Sequence, residues 1–192
     1  VIHEVAGDIL LTRAQAIAHG VAPNDHFASG LALSLRERWP SMAKDFRHYS
    51  RTTHPQTGTL WAWMGADGKR IVNLLTQDGE HEDTPGPARI ESVHRALRAL
   101  RQLIESEKIT SLALPKLATG AGRLAWKDVF PLVQQSLGEL KIPVFVYSAY
   151  HAGVQAQEPD LWRFSGDGAG RRRGSWKSYT RRGASCTDRG WS

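Results

Sequence analysis

At 192 residues, with 41% hydrophobic and 23% charged, the chain is sized for one domain with its own core and is short for two. No apolar run approaches the roughly 18–20 residues of a membrane helix, the opening Val-Ile-His-Glu has neither region of a signal peptide, and the single Cys186 excludes an intrachain disulfide or a cysteine-based zinc cluster and fits a reducing cytoplasm. Of the net charge of +6, the stretch from Asp160 onward holds eight Lys/Arg against three Asp/Glu, so the rest is nearly neutral and the pI is no argument that the folded part binds nucleic acid.

Val1–Val5 is a short strand pattern, followed by Gly7-Asp8-Ile9. Ala16–Val21 is a second apolar run and ends at the turn cluster Pro23-Asn24-Asp25. Ser29 then precedes a helix in which Leu31, Leu35 and Trp39 fall at helical spacing, and Pro40 is expected to close it. Ser41 is the expected cap of a second helix carrying Met42, Phe46 and Tyr49. Thr57–Met64 and Arg70–Leu75 read as strands joined by a turn at Gly65-Ala66-Asp67-Gly68. The clearest helix follows, with Thr84 as expected cap, Pro85 at its first position and Ile90, Val93, Leu97, Leu100 and Ile104 along one face. Arg89, Arg95, Arg98 and Arg101 read as its solvated side. Ser111–Leu114 is a short buried strand; Trp126, Val129, Phe130, Val133 and Leu137 form another helical stripe; Ile142–Tyr147 is the last strand. Strands alternating with helices imply an α/β fold, its sheet largely parallel or mixed and covered on both faces.

In such folds ligands sit outside the carboxyl ends of the strands. Two loops there suit an anion: Pro23-Asn24-Asp25-His26-Phe27-Ala28-Ser29-Gly30, and Ala118-Thr119-Gly120-Ala121-Gly122-Arg123. Their glycines let backbone N–H groups approach a diphosphate, and each loop leads into a helix N-terminus. Neither loop matches a Walker loop or the Gly-x-Gly-x-x-Gly dinucleotide pattern.

Taken in order, these segments resemble the macrodomain family. The matching pieces are Val5-Ala6-Gly7-Asp8-Ile9-Leu10, Ile17-Ala18-His19-Gly20 leading to Asn24 and Ser29-Gly30-Leu31-Ala32, Val72-Asn73-Leu74-Leu75-Thr76, and the run from Leu114 to Trp126, Pro-Lys-Leu-Ala-Thr-Gly-Ala-Gly-Arg-Leu-Ala-Trp after its first residue. The resemblance spans residues 1 to about 150 and is closest in motif to the branch of terminal ADP-ribose glycohydrolases and DNA–ADP-ribose antitoxins. It implies a three-layer α/β/α sandwich with a mixed, largely parallel sheet, holding ADP-ribose or an ADP-ribosyl derivative without a cofactor. By the resemblance, Asp8 accepts from the adenine amino group and the Ile9 N–H meets a ring nitrogen. Asn24, Ser29, Gly30 and Leu31 belong to the loop round the distal ribose and diphosphate. Thr119, Gly120, Ala121, Gly122 and Arg123 cradle the diphosphate, and Tyr150 packs beside the adenosine.

The related glycohydrolases use a lysine after the strand matching Val72–Thr76 and an aspartate in the second glycine loop; here the corresponding residues are Gln77 and Gly122. Gln77 cannot form a Schiff base and Gly122 cannot accept a proton. Lys116 sits beside Pro115, before the loop, and is no ready substitute. Weak catalytic candidates are Asp78, His81 and His26, which can orient a water or relay a proton. For each of them a solvated loop position is the simpler reading, and His19 reads as a core histidine. The loop Asp78-Gly79-Glu80-His81-Glu82-Asp83 matches no metal-binding spacing, so no metal is expected.

The domain is expected to end near Gln157, leaving residues 158–192 as a tail rich in Gly, Ser and Arg with too little apolar surface to order. This tail is either a basic arm that meets nucleic acid, with Trp176 and Tyr179 interleaved, or a plain linker. The missing initiator Met points to a processed or trimmed chain. Three activities stay open at this point: a reader of ADP-ribose, a hydrolase (de-ADP-ribosylating or acting on ADP-ribose 1″-phosphate), and nucleic-acid binding through the tail. Membrane partners are not expected, and the oligomeric state is not readable from these residues.

Overall fold

The computed structural model describes residues 1–79 and 85–159. Six strands form one sheet: β1 (Ile2–Gly7), β2 (Ala16–Val21), β3 (Leu60–Met64), β4 (Arg70–Leu75), β5 (Leu112–Pro115) and β6 (Val144–Tyr150). Their spatial order is β1-β6-β5-β2-β4-β3, with only β3 antiparallel to its neighbour. The helices are α1 (Gly30–Arg38), α2 (Pro40–Thr53), α3 (Ile90–Ser106) and α4 (Trp126–Leu137), and a single 3-10 turn covers Ile9–Leu11.

Side chains alternate across a strand, and this alternation divides the core into two. Ile17, Val21, Ile71, Leu75 and Phe145 pack beneath α1 and α2 with Leu35, Met42 and Phe46. Ala16, Ala18, Val72, Leu74, Leu112, Leu114 and Val146 pack against α3 and α4, meeting Val93, Leu97, Leu100, Val129 and Val133. The expected mixed, largely parallel sheet between two helical layers is therefore present. No described helix is long and apolar enough to cross a membrane.

Some boundaries differ from expectation. Pro40 does not close α1; it opens α2 from the first helical position, where its missing N–H costs nothing. Trp39, not Ser41, therefore occupies the cap position. Helix α3 begins at Ile90 rather than Pro85, with Arg89 at its cap position. Residues 85–89 run extended instead, held by Asp78 N–H donating to Pro87 O and by a bridge between Gln77 and Ala88. Thr84 lies outside the described residues. Strand β3 starts at Leu60 because Thr57–Thr59 is taken up by a turn, in which Gly58 N–H donates to Leu75 O.

Candidate functional site

The carboxyl ends of β1, β6, β5, β2 and β4 open on one cleft. It consists of two cavities, about 280 and 370 Å³, that share Gly30, Leu31 and Pro115 as a common wall.

The larger cavity is lined by Gly7, Asp8, Ile9, Leu10, Ser34, Tyr147 and Tyr150. Asp8 caps the 3-10 turn, and its Oδ1 accepts from Leu10 N–H at 3.0 Å. Its Oδ2 accepts from Gly153 N–H at 3.0 Å, and its own N–H donates to Val154 O at 2.7 Å. Each carboxylate oxygen has a second lone pair, so the group is fixed yet still able to accept. The Ile9 N–H enters none of the bonds among the described residues.

The segment after β6 thus straps the Asp8 corner. Gly7 permits it: a Cβ there would lie 2.7 Å from Val154 O and 2.9 Å from Ala156 N. The strap is anchored by Glu158, a buried carboxylate that accepts from the Thr12 and Tyr147 hydroxyls and from Arg13 N–H. Burial, and then the carboxylate it donates to, push the Tyr147 hydroxyl well above the ordinary tyrosine range. A register shift between Val5 and Ala6 in the β1–β6 pairing lets Tyr147 and Tyr150, three residues apart, face the same cavity. Tyr150 stands 69% exposed at its mouth. Tyr147 and the Glu158 anchor were not singled out from sequence; a polar residue past an expected boundary carries no periodic signal.

Two turns meet at the shared wall. Ser29 precedes α1 without a side-chain cap, and the first backbone bond of the helix is Leu33 N–H to Ser29 O. The N–H groups of Gly30, Leu31 and Ala32 are thereby left open, as an anion site requires. In the second loop Ala118 and Arg123 take left-handed φ of 60° and 59°. Arg123 N–H donates to Gly120 O and Leu124 N–H to Ala118 O, while the N–H groups of 119–122 enter none of the bonds among the described residues. Gly122 is required here: a Cβ would lie 2.5 Å from Ala118 O.

The smaller cavity ends at His19, Asp25, Gln77 and Lys116. Gln77 is buried; its Nε2 donates to Gly86 O at 3.2 Å. Asp25 accepts from Ala22 N–H and Phe27 N–H, which folds the loop back on itself. His19 Nε2 lies 2.6 Å from Asn73 Oδ1, and burial lowers its pKa despite the opposing effects of Asn73 and Asp25.

The structure therefore brings Asp8, Ile9, Gly30, Leu31, Gly120, Ala121, Gly122 and Tyr150 to one cleft, together with Ser29. Asn24, Thr119 and Arg123 lie on the same loops but outside the cavity walls. Asn24 lies against Gly79, where a Cβ would be 2.9 Å from its Oδ1. Of the weak catalytic candidates, Asp78 is engaged by Arg89 at 2.6 Å and His26 is exposed away from the cavity walls. His81 lies outside the described residues, as does the tail from Asp160 onward. Lys116, set aside from sequence, does line the cleft. Among the described residues no group of three or more His, Cys, Asp or Glu is placed to hold a metal ion.

No protein-family model matches the chain. Over 157 residues, 74% of the chain, it is 26% identical to a DNA ADP-ribosyl transferase–DNA ADP-ribosyl glycohydrolase fusion protein of Thermosipho africanus. It is 20% identical to human ADP-ribose glycohydrolase OARD1, of which it covers 89%. Among solved structures, the macrodomain of Thermus aquaticus DarG superposes with a TM-score of 0.69 at 26% identity, over 77% of this chain and 98% of that one. Thermosipho africanus DarTG in complex with ADP-ribose superposes with a TM-score of 0.68 at 22% identity, over 83% of this chain and 43% of that one. The chain spans about 40% of the length of the first of these curated relatives.

Proposed function

We propose that this chain, a macrodomain related to the DNA ADP-ribosyl glycohydrolases and OARD1, holds ADP-ribose along the cleft, with adenine at Asp8 and the distal ribose at Asp25. The observation that carries the reading is one continuous groove with an anchored carboxylate at one end and two open N–H clusters at its middle. An adenine amino group donates to Asp8 while the adjacent Ile9 N–H is left for a ring nitrogen, and Tyr150 offers a ring face beside them. The diphosphate suits the N-terminus of α1 facing the 119–122 turn. The names of the relatives, which cite ADP-ribosyl groups on DNA, support an ADP-ribosylated nucleic acid as the physiological ligand.

Gln77 and Gly122 favour a reader, or a hydrolase that works without a lysine adduct. The glutamine amide is tied to Gly86, and no side chain fits at 122. Calorimetry with ADP-ribose tests the binding claim directly. Saturable binding with one site, lost for ribose 5-phosphate and weakened when adenine is replaced by hypoxanthine, is the expected result; equal affinity for both bases would remove the Asp8 assignment.

A further inference from the structure

Helix α2 buries Met42, Ala43 and Phe46, and its outer face carries Lys44, Arg47, His48 and Arg51, all exposed. These four stand at positions i, i+3, i+4 and i+7, so they form a single stripe along the helix rather than a scatter. Arg70, Arg89 and Arg101 each meet a carboxylate, whereas among the described residues other cations, the exposed Arg98 and Lys141 included, do not. Lys44, Arg47 and Arg51 meet none among the described residues. The one acid on this helix, Asp45, accepts from Trp63 Nε1 at 2.9 Å. The remainder of the domain is close to neutral, which makes the stripe a local concentration of charge.

Its position matters more than its charge. Ser50 Oγ, in the last turns of α2, donates to Pro23 O at 2.5 Å. That bond ties the helix to the loop whose Asp25 lines the cleft. On the reading above, with the distal ribose at Asp25, a group attached to that ribose would leave the groove on the side of this loop, to which α2 is tied. From Lys44 to Arg51 the helix rises about 10 Å, at ~1.5 Å per residue, enough to follow about three phosphates at roughly 3.4 Å of rise per strand.

We propose that the Lys44–Arg47–Arg51 face of α2 is a backbone-binding surface for the nucleic acid that carries the ADP-ribosyl group. It rests on the reading above for the direction of the ligand. The cations of the stripe suit phosphate oxygens, the contacts that supply sequence-independent affinity, so the surface is assigned to the backbone. Arg51 adjoins Ser50 in the chain, and Arg47 lies about one helical turn before Arg51.

The test uses the full chain and a single-stranded oligodeoxynucleotide, unmodified and ADP-ribosylated, with free ADP-ribose and an ADP-ribosylated uncharged peptide as further arms. Arg47→Glu/Arg51→Glu is compared with Arg98→Glu/Lys141→Glu, an equal charge change on exposed residues away from α2. For the first variant the expected result is roughly tenfold weaker binding of both oligonucleotides and a log–log salt slope reduced by about 1.4, since each single-strand phosphate contact contributes ~0.7. Free ADP-ribose and the peptide should bind as before, which also shows that the fold is intact. The control variant should change neither slope. An equal loss in the control, an unchanged oligonucleotide affinity in the first variant, or an equal loss on the peptide would each overturn the proposal. If ADP-ribose itself fails to bind, the cleft reading falls, and the unmodified oligonucleotide still decides on the stripe.

Discussion

His19 and Asn73 face one another on neighbouring parallel strands, with Nε2 of the first 2.6 Å from Oδ1 of the second. Asn73 Nδ2 is turned the other way, toward Trp61 O and Met42 Sδ. The asparagine oxygen therefore accepts, Nε2 carries the ring proton, and Nδ1 keeps its lone pair in a ring that lines the cleft.

A pH dependence of stability follows. Burial lowers the folded-state pKa of His19 below the ordinary histidine value of 6.5. The unfolded chain then binds a proton that the folded chain refuses, so stability is full above pH 6.5 and falls as the pH drops below it. The contribution is up to about 1.4 kcal/mol per pH unit until the folded group itself titrates. Urea denaturation at several pH values should show a shallower acid loss in His19→Gln than in the wild type. Parallel curves would show that His19 is not the group responsible.

Asp8→Ala should weaken ADP-ribose by roughly 1–3 kcal/mol, the cost of a charge-assisted bond left unmade. It should also lower stability, because the N–H groups of Leu10 and Gly153 lose their acceptor. Asp8→Asn separates the two effects: it keeps one acceptor oxygen and the shape of the corner. Calorimetry and thermal melting on both variants give the comparison.

Glu158 makes the position of the domain edge testable. It lies one residue beyond Gln157, is 6% exposed, and accepts from Thr12, Arg13 and Tyr147. Glu158→Ala should cost roughly 2–3 kcal/mol, the range for buried hydroxyls and an N–H deprived of a charged acceptor. A chain ending at Pro159 should melt as the full chain does, whereas one ending at Gln157 should melt lower and bind ADP-ribose less tightly through the loosened Asp8 strap. Equal melting of both truncated chains would show that the anchor is dispensable.

The layered fold was legible in the sequence because burial imposes a period. Ile90 to Ile104 and Ala16 to Val21 show it directly, and both form the expected elements. Asp8 and the glycine turns were legible through the family resemblance, since a turn aspartate alone has no distinguishing pattern. The start of α3 was misplaced because a Thr-Pro pair imitates a helix entry, while the pairing of Gln77 with Ala88, which holds 85–89 extended, is tertiary. Lys116 looked remote beside Pro115, yet parallel pairing sets β5 next to β2 and brings its end to the wall that His19 also lines.

That placement of Lys116 sharpens the question of a covalent mechanism. Among the described residues it is the one lysine on the cleft wall, which it shares with Gln77, the residue in the place where the resemblance implies a lysine. A Schiff base requires an unprotonated amine at the opened sugar carbon and a nearby group to move the proton. Gly122, where an acid is expected, cannot supply it, and Gly122→Asp would drive a Cβ to 2.5 Å from Ala118 O. Gly122→Asp combined with Gln77→Lys should therefore distort the 118–123 turn and weaken ADP-ribose rather than install the reaction; loss of ADP-ribose affinity in calorimetry checks this. In the wild type, borohydride added during incubation with an ADP-ribosylated oligonucleotide should trap no protein–sugar adduct by intact mass. If turnover occurs without an adduct, an oriented water is the nucleophile, and the residue that orients it will lower turnover on substitution without lowering affinity. An adduct that maps to Lys116, and disappears in Lys116→Arg with ADP-ribose binding retained, would show instead that the reactive lysine has moved from β4 to β5 across the same groove.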